Sequence, residues 1–95
     1  MEINYREDDD QSFKKSKKLT DRTLSRHEIG MIVKLRANDL RTGRGAPLVP
    51  YTVYDPIRIA QEEVSQGLLQ YELVRKIPHG DGFIEEVWDI TEMNV

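Results

Sequence analysis

The chain contains no cysteine, which excludes disulfide bonds, thiolate metal sites and cysteine nucleophiles. Histidine is scarce: His27 and His79 are the only two, and they lack metal-ligand spacing, so no metal and no cofactor is expected. No apolar run approaches the roughly 18 residues that a membrane-spanning helix needs. The opening Met-Glu-Ile-Asn-Tyr-Arg-Glu-Asp-Asp-Asp has none of the features of a secretory signal. A soluble intracellular protein, with no membrane among its partners, is the expectation. An excess of positive charge is also missing. Fourteen Lys and Arg against 17 Asp and Glu leave a net charge of −3, which argues against a protein that coats DNA or RNA.

What is present is one small domain. Ninety-five residues bury only about 60–65% of the surface that the unfolded chain exposes, so the core is marginal without a partner. Hydrophobic residues make up 38% and charged residues 33%, as expected of a thin core under a highly charged surface. The charges are segregated near the start. Glu7, Asp8, Asp9 and Asp10 form an acidic block, and Lys14, Lys15, Lys17 and Lys18 a basic one. Such runs either stay solvated or dock on an oppositely charged surface. Residues 1–23 show no hydrophobic periodicity and are expected to be a disordered charged tail, with the folded domain over 24–95.

From Leu24 the pattern sharpens. Ser25-Arg26-His27-Glu28 is a capping box, and Leu24 and Ile29 have the spacing of a hydrophobic staple. Ile29, Ile32, Val33, Ala37 and Leu40 recur at helical intervals and predict a first helix with one apolar stripe. Gly43 and Gly45 stop it, and Pro47 prevents its resuming. Ala46-Pro47-Leu48-Val49-Pro50 reads as an extended connector. Asp55-Pro56 then opens a second helix, with Asp55 as cap and Pro56 in the first turn. Ile57, Ala60 and Val64 are predicted to share a face, and Gly67 to end the helix. Beyond it the period falls to two: Leu69, Tyr71, Leu73, Arg75 and Ile77 alternate with Gln70, Glu72, Val74 and Lys76, and Ile84, Trp88 and Ile90 lie on one side of a second run that Glu86 interrupts. With Pro78-His79-Gly80-Asp81-Gly82 between them, these predict a β-hairpin with a five-residue loop. The fold class is therefore α+β: charged tail, two helices joined by a proline-rich connector, and a β-hairpin.

No residue set points to catalysis. Thr42-Gly43-Arg44-Gly45 is glycine-rich but follows a helix instead of opening one, and reads as a helix stop rather than a phosphate loop. Glu62 and Glu63 are adjacent on a helix, point in different directions, and read as solvated carboxylates. Arg36 is out of place, because it falls at the edge of the apolar stripe between Val33 and Leu40. A guanidinium there must snorkel, or find a carboxylate or carbonyls on a partner. Tyr71, Phe83 and Trp88 are either core beneath the helices or exposed interface anchors. Arg26, Lys34, Arg36 and Arg41 make the first helix locally basic, which leaves a free-standing nucleic-acid-binding module as the alternative reading.

In this order, these residues resemble the omega/K-type small subunit of multisubunit DNA-directed RNA polymerases, which includes bacterial omega, the archaeal K subunit and the sixth, shared eukaryotic subunit. The first helix of that family carries Tyr-Glu-x-Ala-Arg-x-x-x-x-Arg-Ala-x-Gln-Leu/Ile. Residues 27–40 match it at Glu28, Arg36, Ala37 and Leu40, and depart at His27, Gly30, Met31 and Asp39. Gly45-Ala46-Pro47-Leu48-Val49 is similar to the Gly-Ala-Pro segment of archaeal forms. Asp55-Pro56-Ile57 with Ile59, Ala60 and Glu63, and Gly67-Leu68-Leu69 leading to Arg75, are similar to the second helix and first strand, although Gln70 replaces a usual proline. Glu86-Val87-Trp88-Asp89-Ile90 resembles the second strand of eukaryotic and large-virus versions. The resemblance spans residues 24–90, and its departures suggest a divergent lineage such as a large DNA virus or an unusual archaeon. It implies a non-catalytic subunit that latches the largest polymerase subunit and promotes assembly. Glu28, Arg36, Ala37, Leu40, Ala46 and Pro47 would then make the partner contact, and nucleic acid would be met only through the assembled enzyme. The tail is a candidate for transcription-factor contact. The compartment would be cytoplasm, nucleus or virion.

Overall fold

The structure, a computed structural model, describes residues 2–5 and 19–95. Its elements are strand β1 (Glu2–Tyr5), helix α1 (Arg26–Arg41), helix α2 (Pro56–Ser65), strand β2 (Tyr71–His79) and strand β3 (Gly82–Asp89), followed by a 3-10 turn over Ile90–Glu92. The sheet is antiparallel with β2 in the middle, in the order β1-β2-β3. The α+β class, the two helices and the hairpin are as the periodicity predicts.

The helix boundaries follow from local chemistry. Ser25 caps α1 by accepting from the Glu28 amide at 3.1 Å, and Glu28 Oε1 accepts from the Ser25 amide at 2.8 Å, completing the capping box. At the other end Gly43 takes a positive φ of 75°, a conformation that other residues rarely adopt. Asp55 caps α2, accepting from the Ile57 and Arg58 amides, and Pro56 occupies the first turn.

Period-two alternation places Tyr71, Leu73 and Arg75 on one face of β2. Ile3 pairs with Leu73 on one side, while Trp88 and Glu86 pair with Leu73 and Arg75 on the other. The helices cover this face. The core gathers Leu24, Ile32, Val33 and Ala37 with Ala60 and Val64, packed on Leu69, Tyr71, Leu73, Trp88, Ile90 and Met93. The Tyr71 hydroxyl donates to Asp39 near the end of α1, and Arg75 binds Glu28 at its start. Helix α1 therefore lies antiparallel along β2.

Four details differ from the sequence-based expectation. Residues 2–5 form β1 although no element was expected before Leu24; four residues with a single apolar alternation are too few for periodicity to register. Residues 19–23 are also ordered against the sheet, through contacts with Arg75 and Glu86. The expected disorder of the intervening charged blocks concerns residues 6–18, outside the described residues. The hairpin loop is two residues, Gly80-Asp81, not five, because Pro78 and His79 pair with Phe83 and Gly82. Gly80 supplies the positive φ of 59° that a tight hairpin turn requires. Pro78 is tolerated because β1 reaches only Val74, so among the described residues β2 has no second neighbour there. Finally, Ile57 and Ile84 are exposed. The buried face of α2 is instead Ile59, Ala60, Glu63 and Val64, and the hairpin tip projects past the helices that cover its base.

Leu73 is fully buried at the centre of the sheet, between Ile3 and Trp88. Leu73→Ala is expected to lower unfolding stability by about 2–5 kcal/mol. Urea unfolding followed by tryptophan fluorescence measures this directly, with the denaturant slope unchanged.

Candidate functional site

Arg36, at the edge of the apolar stripe, needs a carboxylate, and it finds one inside the chain. Its Nε donates to Glu63 Oε1 at 2.7 Å, and Nη2 donates to Glu63 Oε2 at 3.1 Å and to the Ala46 carbonyl at 3.0 Å. Glu63 Oε2 also accepts from the Leu48 amide at 2.8 Å. Glu63 is 0% exposed and Arg36 9%. One bidentate ion pair therefore joins α1 to α2 and holds both flanks of Pro47. Gly45 completes the nest: a Cβ there would stand 2.6 Å from Arg36 Nη1, against a guanidinium that Glu63 already fixes.

This changes the reading of the residues that the family resemblance assigns to a partner. Arg36, Ala37 and Leu40 are buried, with Ala37 in the main core and Leu40 in a second cluster with Val49 and Ile59. Glu28 is buried as well, in its capping box and in a bidentate pair with Arg75 at 2.8 Å. That contact, the largest of several, holds the Glu28 carboxyl below the usual carboxylate range against the opposing effect of burial. These four side chains thus serve this chain's own fold. Ala46 is exposed and Pro47 partly so.

The accessible apolar surface lies just beyond them. Leu48, Tyr51, Val53, Tyr54 and Ile57 are all exposed, Val53 by 77%. They are not loosely held. Val49 anchors the connector in the second cluster, and the Tyr54 hydroxyl donates to the Leu40 carbonyl at 2.9 Å. Tyr51 meets Tyr54 edge-on at 5.6 Å. Beside them an open groove of about 610 Å³ runs between the connector and α2, with Val49, Tyr51 and Val53 on one wall and Arg58, Glu62 and Gln66 on the other. Several exposed apolar side chains on one short anchored segment make it the candidate interaction surface.

A second polar centre sits at the other end of α1. Glu86, which interrupts the apolar alternation of β3, is buried and accepts from the Leu19 amide, the Thr20 amide, the Thr20 hydroxyl and Trp88 Nε1. Burial pushes the Glu86 pKa up, but donors from Thr20, Leu19 and Trp88 outweigh it and hold the carboxyl at about 2. Next to it Arg75 donates to Glu28, to Thr20 Oγ1 and to the Asp21 and Thr23 carbonyls. Periodicity cannot reveal this clasp, because residues 19–23 have no repeat. Glu63 was findable. It shares a helical face with Ile59, Ala60 and Val64, and a carboxylate on such a face matches an arginine stranded on another.

His27 and His79 are both exposed, and among the described residues no group of three or more His, Cys, Asp or Glu is placed to hold a metal ion. Among the described residues, no helix is long and apolar enough to cross a membrane.

Two outcomes are expected. Arg36→Met or Glu63→Leu alone should cost about 3–5 kcal/mol, since each leaves a buried charge without its partner. The double variant should cost less than either single one, with a residual of about 1–3 kcal/mol for the Leu48 amide and Ala46 carbonyl left behind; a double-mutant cycle in urea gives all three values. For Glu86, a folded-state pKa below the ordinary 4.5 means that the unfolded chain binds the proton more readily. Its contribution is fully present above pH 4.5 and is lost as pH falls toward about 2. Glu86→Gln should flatten the stability profile in that window, measured by thermal unfolding across pH.

No protein-family model matches the chain, and a search of curated proteins gives no match.

Proposed function

We propose that this chain is a non-catalytic subunit of a DNA-directed RNA polymerase, of the omega/K type, which binds the largest subunit and promotes assembly. One observation carries the reading. The Gly45-Ala46-Pro47-Leu48-Val49 segment, which resembles the family's connector, is pinned from beneath by Arg36 and Glu63, and its exposed apolar side chains continue through Tyr51 and Val53. The family-type residues Arg36 and Leu40 then act indirectly, by shaping the connector, and Ala37 by filling the main core, while Leu48, Tyr51, Val53, Tyr54 and Ile57 with Ala46 and Pro47 form the contact surface. A stable interface of this kind buries about 800 Å² on each partner, and tyrosines are frequent energetic anchors in one. The proposed compartment is that of the polymerase: cytoplasm, nucleus or virion.

A tagged chain recovered from native extract should bring down the two large polymerase subunits. Val53→Asp and Tyr51→Ser should each weaken that association by about thirtyfold, equivalent to about 2 kcal/mol at an anchor position, with thermal stability unchanged for Val53→Asp and lowered by no more than about 1 kcal/mol for Tyr51→Ser, which loses the edge-on contact with Tyr54. Lys34→Glu, on the exposed face of α1, should have no such effect. The alternative draws on the exposure of Arg26, Lys34 and Arg41 along α1. Sub-micromolar, steeply salt-dependent binding of the free chain to DNA or RNA, measured by fluorescence anisotropy, would favour a free-standing nucleic-acid-binding module instead.

A further inference from the structure

We propose that the edge of β2 at residues 71–74 is a strand-accepting surface, and that its second occupant is β1 from another copy of this chain. The first occupant is on the page. Glu2, Ile3, Asn4 and Tyr5 lie opposite Val74, Leu73, Glu72 and Tyr71, antiparallel. The strand is short, and Glu2 and Asn4 point to solvent. Ile3 is only partly buried, packed on the core beside Leu73. So β1 is held by ladder hydrogen bonds with little burial to back them, while the edge it covers belongs to a strand whose Leu73 and Tyr71 are core residues.

The connection makes exchange possible. Residues 6–18 join β1 to Leu19, and the Leu19 amide is fixed on Glu86, which faces Arg75 across the sheet. From Tyr5 beside Tyr71 to Leu19 beside Glu86 is about four residues along the strands and two strand spacings across, roughly 17 Å. Thirteen joining residues can span about 45 Å, so they close the gap within one chain with length to spare. A β1 from a second copy would make the same four pairs, since the segment and the edge are identical in both. The contacts being the same, the choice between them is set by the effective concentration of β1 within the chain against its concentration from other copies. Self-pairing dominates when the protein is dilute. It loses that advantage when the connection cannot reach, and the vacated edge then recruits the β1 of a neighbour.

The absence of native cysteine provides a clean readout. Asn4 and Glu72 are register partners, and opposed residues in an antiparallel pair stand within disulfide reach. Chains carrying Asn4→Cys and chains carrying Glu72→Cys, distinguished by a mass tag, would be mixed in equal amounts and oxidised. With residues 7–17 deleted, Arg6 and Lys18 span at most about 11 Å, too little to close within one chain. The cross-linked product should then be the mixed pair in large excess over either like pair, and Ile3→Asp in the same background should abolish that excess. In the intact chain the mixed pair should be minor at about 10 µM and become a major product near 1 mM. A statistical mixture of pairs from the shortened chain, or a mixed pair that survives Ile3→Asp, would overturn the proposal. If the shortened chain loses its helical circular dichroism, the intact chain decides: a mixed-pair fraction that does not rise over that concentration range overturns the proposal equally.

Discussion

The fold turns on one buried ion pair. Arg36 and Glu63 come from different helices, and without their mutual contact neither charge could remain where it is. The pair in isolation offers little net stability, because desolvation offsets most of the attraction between two buried charges. Its value is in geometry. A guanidinium fork admits few approaches to a carboxylate, so the pair sets how α1 lies against α2. The Ala46 carbonyl and Leu48 amide then set how the connector crosses between them. A connector containing Pro47 and Pro50 has few intrinsic hydrogen bonds to define it. Two apolar helices alone would pack in several ways, and the exposed apolar side chains from Leu48 to Ile57 would have no fixed arrangement.

Elements whose physics is local could be read from the sequence. The capping box at Ser25 and Glu28, the stop at Gly43, the Asp55-Pro56 start and the alternation through Tyr71 and Leu73 all depend on neighbours within four residues, and all are where expected. Arg36 was legible as an anomaly, but not the identity of its partner. The requirement for a carboxylate is a property of one residue, whereas the position of Glu63 depends on the packing of two helices. The same limit explains the family-type residues. Arg36, Ala37 and Leu40 are buried against the chain's own core and connector, and a sequence does not distinguish a side chain that packs on another protein from one that packs on its own chain.

Charged residues in apolar patterns proved the most informative positions. Arg36 in the stripe of α1, Glu63 on the buried face of α2, Arg75 among the inward residues of β2 and Glu86 among those of β3 each break a periodicity. Each is satisfied by several hydrogen bonds, and together they join α1 to α2 and to β2 directly, and β2 to β3 through the Thr20 hydroxyl. In a domain with a thin core, such centres specify one arrangement where apolar contacts alone would permit several. Asp39 is a further buried carboxylate in α1, and it accepts from Tyr71 at 3.2 Å.

The clasp over residues 19–23 has a consequence in time rather than in space. Its hydrogen bonds to Glu86 and Trp88 join positions 66 to 68 residues apart in sequence, and those to Arg75 join positions 52 to 55 apart. Contacts of such separation must close long loops before they contribute anything. Residues 19–23 are made before α1, yet Arg75 exists only once β2 has been made, and Glu86 and Trp88 only once β3 has. Until β2 and β3 have both been made, this stretch lacks the partners that fix it. A segment made before both helices is thus fixed only by strands made after them.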